Sequence, residues 1–338
     1  MPQGRKRKQP ESAAAVPIEQ PKRRNRFTPY IIAAAVVVAL LAMVSVPYYQ
    51  QYIAPFRQVI ITVDSTVIRM NYFMQRIRAA NSDGFAMITQ ITNELLIKSG
   101  APRYGITVTD TDVDDYLHKI AAGSDNHTVS EIEFREWYRQ ALNESKLSDQ
   151  RYREMVTVQI YSERLQKYLA DTMPKEVDHV LVYALFTSSY DAAIKAKERW
   201  TAGEDFSKLA TELSIDGTTQ EKGGEIGWLP EGASIFDLAF DMNVGEVSDP
   251  AVVPGADPTA DPTQTPQTYY IIYIKDKAVR PIESQYLASV EAKVYQDWLT
   301  AEHDNHTVKW NFNSEINAWI NWQIAKAKGP SSSSSSSG

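Results

Sequence analysis

The 338-residue sequence predicts an α+β protein carried behind one N-terminal transmembrane helix, and three observations predict it. Tyr30–Val46 is an uncharged apolar run with a basic segment before it. From about residue 70 to 173, apolar residues recur at helical spacing behind Ser, Thr and Asp caps. After Pro174 the pattern changes to alternating β-branched and aromatic runs separated by short helical stretches. With 43% hydrophobic and 23% charged residues, the composition excludes both a disordered chain and a multi-span membrane protein. The absence of cysteine removes disulfides, thiolate metal sites, cysteine nucleophiles and an acylated lipoprotein cysteine together.

The first 28 residues carry eight bases against Glu11 and Glu19, a net +6 that leaves −13 for the rest. Tyr30–Val46, extended by Pro47, Tyr48 and Tyr49, reaches the roughly 20 residues that span about 30 Å of hydrocarbon. Basic flanks stay cytoplasmic and tyrosines suit the interface, so the N-terminus is expected inside and everything from about residue 50 outside. A cleaved signal peptide would have a shorter apolar core and a small-residue cleavage site nearer the start, which favours an anchor. Nucleic-acid binding by the basic run is not expected, because its place beside a membrane span already explains it.

Val59–Ile68 alternates as a short strand with a turn at Asp64-Ser65, and 71–98 reads as long helix. Thr and Asp caps with acids in the first turn open a helix over the TDTDVDD segment to about Ala122. Ser130 and Ser148 open two more, the last ending before Pro174. Beyond it, Val177–Phe186 reads as a strand, Tyr190–Ala202 and Phe206–Leu213 as helices and the Gly223-Gly224 turn as the entry to another strand. Phe236–Met242 reads as a short helix, with strands at Val247–Val253 and Thr268–Lys275, a layered unit of about 100 residues.

Five blocks in this unit, HVLV, GEDFSKLATELSID, GGEIGW, AFDMNVGEVSDP and YYIIYIKD, occur in order. Together they resemble the parvulin family of peptidyl-prolyl isomerases across about 176–278. The preceding VDSTVI, GITVTDTDVDDYL and LSDQRYREMV blocks are similar to the chaperone module of extracytoplasmic foldases of the SurA and PrsA type. The charge and hydropathy give a basic cytoplasmic tail (1–28) and a transmembrane anchor (29–49), and the resemblance implies a helical chaperone module (50–174). It further implies a parvulin-like domain of four antiparallel strands with helices (175–278), C-terminal helices packing on the chaperone module (279–328) and a Ser-rich tail (329–338). The function implied is isomerisation of X-Pro bonds in unfolded or newly translocated polypeptides, or a non-catalytic holdase that keeps the fold. No cofactor or metal is implied. Rotation about X-Pro faces about 18–20 kcal/mol of amide resonance and needs only a site that favours the twisted amide.

Carried over by position, the resemblance places the first-strand histidine at His179, its second histidine at Tyr270 and its acidic or thiol position at Asp216. A tyrosine keeps one donor and one acceptor but not both imidazole nitrogens. The proline-contacting residues fall at Ile235 or Phe236, with Phe240 and Trp228 beside them, in a loop about three residues short and without methionine. Pro254, Pro258, Pro262 and Pro266 recur at intervals of four in a flexible Pro-rich insertion spanning 253–268.

His303 and His306 lack a third fixed ligand, so no metal is expected there. Trp298, Trp310, Trp319 and Trp322 fit either a helix core or a cradle for apolar client segments. TDTDVDD lacks the glycine and terminal glutamate of a calcium loop, and the N-x-[ST] triplets at Asn126, Asn143 and Asn305 are at chance level.

Overall fold

In the computed structural model, residues 28–123, 128–233, 236–253 and 267–328 are described. The basic tail, Ile235, the triplet at Asn126, most of the Pro-rich insertion and the Ser-rich tail lie outside them.

Among the described residues, those up to 58 form one unit and those from 59 on another. The first holds helix α1 (Thr28–Tyr52) and a single turn, α2 (Ala54–Arg57). Its 20-residue stretch Ala33–Tyr52 is long and apolar enough to cross a membrane. No side chain in it is charged, so no ionic penalty opposes transfer to hydrocarbon.

The second unit opens with the hairpin β1 (Val59–Val63) and β2 (Thr66–Arg69), turned at Asp64 with φ 50°. Helices α3 (Met70–Ala80), α4 (Gly84–Gly100), α5 (Asp110–Ala122), α6 (Glu131–Ser145) and α7 (Asp149–Thr172) follow. Their starts are set by local chemistry. Asp83 accepts from Phe85 N and Ala86 N, Thr109 with Asp112 and Ser130 with Glu133 form reciprocal capping boxes, and Ser148 caps α7. The aspartates of TDTDVDD therefore serve a helix start, and Asp112 also pairs with Arg164 of α7, which holds its carboxyl well below the usual carboxylate range.

Next come β3 (Glu176–Thr187), α8 (Tyr190–Thr201), α9 (Phe206–Leu213), α10 (Gly217–Glu221), β4 (Glu225–Pro230), β5 (Ala251–Val252) and β6 (Tyr269–Pro281). They form an antiparallel sheet in the order β4-β3-β6-β5. Alternation sorts its residues. Leu185 and Ile271 join Ala193, Phe206 and Leu209 beneath α8 and α9, while Val182, Ala184, Tyr270, Ile272 and Ile274 face the other way against Phe236, Ala239 and Met242.

The chain ends with α11 (Leu287–Asn305), β7 (Val308–Trp310) and α12 (Ser314–Lys328). α11 packs on α4 and α7, and β7 pairs with β1, giving a second antiparallel sheet ordered β2-β1-β7. Four expectations need correction. The long helix expected over 71–98 is two, α3 and α4, because Asn81 ends the first in the left-handed region (φ 48°) and Asp83 caps the second. The C-terminal stretch holds a strand between its helices, because β1 has a free edge that only a sequence-distant segment can fill. The expected helix at 236–242 is a 3-10 turn, Asp237–Phe240. The expected strand 247–253 shrinks to Ala251–Val252 plus one bridge from Val247 to Tyr273.

Candidate functional site

The register of β3 against β6 places Phe186 opposite Tyr270, on the face turned away from α8 and α9. Their ring centroids are 6.2 Å apart, and Phe236 completes the group at 5.2 Å from Tyr270 and 6.5 Å from Phe186. Phe236 is 5% and Tyr270 3% exposed, while Phe186 is half-buried. Burial pushes the Tyr270 phenol above its ordinary pKa, so the group is a neutral donor at any physiological pH. Phe240 and Met242 pack on the same core.

Beyond the end of β4, the edge of β3 is taken over by 214–216. Ser214 Oγ accepts from Phe186 N at 3.2 Å, and Ile215 N donates to Phe186 O at 2.9 Å. Asp216 therefore follows directly on a segment laced to the niche strand. Its Oδ2 accepts from Thr219 N (3.0 Å) and Thr219 Oγ1 (2.7 Å), capping α10. Ile215 is 55% exposed at this rim. Gly224 lets the preceding turn approach closely. At φ +88° a Cβ there would sit 2.8 Å from Ala184 O, and Ala184 N donates to Gly224 O at 2.7 Å.

The structure brings Tyr270, Phe236 and Phe240 into one cluster, sets Asp216 one residue beyond the segment bonded to Phe186, and leaves His179 and Trp228 elsewhere. His179 lies on β3 opposite Pro230 and Ala278, seven residues from Phe186, or about 23 Å along a strand. It is 1% exposed, Nδ1–H donates to Val177 O at 2.8 Å, and Nε2 is buried without a partner. Trp228 pairs with Leu181 and lies beneath the Arg280 guanidinium, 4.5 Å from the ring centroid. The sequence offers two apolar runs in one strand, HVLV and ALF, and only the second reaches the niche. Phe186 and Met242 were missed. Phe186 could have been found from its alternation with Ala184, whereas Met242 is delivered by the turn after Phe236.

The flanks of the Pro-rich insertion are joined, since Val253 N donates to Thr268 O at 3.0 Å. Two larger clefts lie in the helical part. One of about 640 Å³ runs beside the β1–β2 hairpin; another of about 580 Å³ lies between α4, α5, α7 and α11, with Ile97, Tyr116, Ile120, Met155 and Tyr295 on its walls. Among the tryptophans, Trp298 is buried and donates to Tyr104 Oη (2.9 Å), whereas Trp310 is half-exposed and Trp322 is exposed beneath Lys326. His306 uses both ring nitrogens on carboxylates, Nδ1–H to Asp64 (2.5 Å) and Nε2–H to Glu302 (2.9 Å). Among the described residues no His, Cys, Asp and Glu group is arranged to hold a metal.

Residues 187–276 match the family model described as Rotamase, PPIC-type PPIASE domain. His179 lies eight residues before that stretch. Among curated proteins, the chain is similar to Foldase protein PrsA of Caldanaerobacter subterraneus, 25% identical over 68% of this chain and 66% of the relative. Foldase protein PrsA of Streptococcus gordonii is 26% identical over 73% and 77%. That of Geobacillus kaustophilus is 32% identical over 36% and 38%. The chain thus spans from little over a third to about three quarters of these relatives. Among solved structures it is similar to peptidylprolyl isomerase (PrsA) from Bacillus cereus, at 17% identity and a TM-score of 0.36 over 83% of this chain and 95% of that one. The resemblance read from the residues is borne out: a PPIC-type parvulin domain, in a chain whose curated relatives are foldases.

Proposed function

We propose that this chain is an extracytoplasmic foldase, held at a membrane by α1 with its N-terminus cytoplasmic, that accelerates cis/trans isomerisation of X-Pro bonds in secreted or membrane polypeptides. The observation that carries the reading is the aromatic group of Phe186, Phe236 and Tyr270, the last two inside the PPIC-type stretch and the first immediately before it. In this reading 175–278 is inserted into a helical chaperone module built from 50–174 and 279–328. Packing of α11 on α7 and pairing of β7 with β1 support that arrangement.

The chemistry asks little of the residues. Rings of Phe186 and Phe236 receive the proline ring and keep water from the amide, and a less solvated amide twists more easily because its planar, dipolar form loses stabilisation. The Tyr270 hydroxyl is the donor for the prolyl nitrogen during rotation, whose lone pair is free to accept only when the amide is twisted, so the bond favours the twisted form over either planar one. Asp216 acts as a positioning residue, holding α10 and the 214–216 segment against Phe186. Unfolded segments are received in the cleft between α4, α5, α7 and α11, whose walls mix apolar and aromatic residues with polar ones such as Gln90, Asn93 and Glu94.

A protease-coupled prolyl-peptide assay on the full chain in detergent tests this: wild type is expected to exceed the uncatalysed rate and Phe236→Ala to lose most of the gain. A wild-type rate equal to the uncatalysed one rejects it. A second reading, a holdase with a parvulin fold, is favoured by the distance of His179 from Tyr270, and suppression of client aggregation without rate enhancement would establish it.

A further inference from the structure

The lip of the niche is fastened from outside its sheet. After β4, Glu231, Gly232 and Ala233 lead toward Phe236. The Glu231 carboxylate lies 3.2 Å from Lys293 Nζ on α11, and the same ammonium donates to both oxygens of Asp297 at 2.7 Å. Gly232 has φ +80°, and a Cβ there would sit 2.6 Å from Lys293 Cβ and 2.9 Å from its Cγ. The loop backbone thus lies directly on the aliphatic stem of Lys293 while the head group grips the loop's carboxylate. Tyr286, at the N-cap of α11, packs on the niche-face core, so α11 meets this side of the sheet at two points.

We propose that Lys293 is a positioning residue for the isomerase site: by stem and charge it holds 231–233 in place, and so keeps Phe236 edge-on to Tyr270. This rests on the isomerase reading above. Lys293 itself touches no substrate. Asp297 pre-orients the ammonium, and Gly232 is required because any side chain would push the loop off the stem.

The test uses the full chain with Lys293→Met, which keeps the stem and removes the charge, Lys293→Arg, which keeps both, Glu231→Gln, and the double variant Lys293→Met/Glu231→Gln. Amide exchange in 231–240 is read alongside kcat and KM on a prolyl peptide. Lys293→Met is expected to speed exchange in 231–240 alone and to lower kcat/KM about two- to fivefold, the range that a partly exposed ion pair supports. Lys293→Arg is expected to match wild type, and the double variant to be no worse than the worse single one. Unchanged exchange in Lys293→Met, or fully additive losses in the double variant, overturns the fastening; a wild-type chain without rate enhancement overturns the isomerase reading instead.

Discussion

At its N-terminal end β3 buries His179 between Pro230 and Ala278, neither of which has a side chain able to bond Nε2. At its C-terminal end the same strand sets Phe186 beside Tyr270 and gives its outer edge to Ser214 and Ile215. Both ends belong to one strand and bury part of it. What separates them is which sequence-distant segments arrive: β4 and the distal half of β6 at one end, the 214–216 segment and Phe236 at the other. A motif names residue types, whereas a site is a register.

The comparison breaks most sharply at Phe236. Phe236→Ala removes a buried ring and is expected to lower stability by about 3–5 kcal/mol in denaturant titration, taking rate enhancement with it. If activity survives, the aromatic end is not the site. His179→Ala is expected to lower stability by about 1–3 kcal/mol through the cavity and the lost bond to Val177 O, with kcat/KM per folded molecule unchanged. A large fall in kcat there would move the chemistry back to the N-terminal end.

A pH series sharpens the contrast by acting on neither end. His306, between Asp64 and Glu302, has its pKa raised above the ordinary value near 6.5, chiefly by the bond to Asp64. Its stabilisation is fully present below about 6.5 and lost as pH rises through the higher folded value. Asp64, lowered chiefly by the same bond, contributes above its unfolded value and loses that as pH falls through the folded one. Calorimetry should therefore give a Tm that falls above neutrality in wild type and does so less in His306→Gln; parallel curves would show the clasp to be unimportant. The smallest effect is reserved for Tyr270→Phe, which deletes one hydroxyl. Stability should shift by less than about 1 kcal/mol while kcat drops about threefold to tenfold, measurable only in the prolyl-peptide assay.

Local chemistry explains which parts of this molecule were legible. Each cap at Thr109, Ser130 and Ser148 acts within three residues, and the alternation of TYYIIYIK is visible in the strand itself, so the helices and β6 follow from the residues alone. Register between β3 and β6, the 3-10 turn after Phe236 and the strand β7 depend on partners tens to hundreds of residues away. Asp64 and His306 stand 242 positions apart, and no periodicity links them. Tyr270 and Phe236 come together and His179 lies apart from them only through the register of β3, because HVLV and ALF read alike until that register is known.

The pairing of β1 with β7 has a consequence for biogenesis. Val63 meets Val308, so one edge of β1 stays bare through nearly the whole of synthesis. At about 5–20 residues per second that wait is on the order of 10–50 s, during which a β-rich segment is open to mispairing with neighbouring nascent chains. A chain built this way is, until β7 emerges, itself in need of protection.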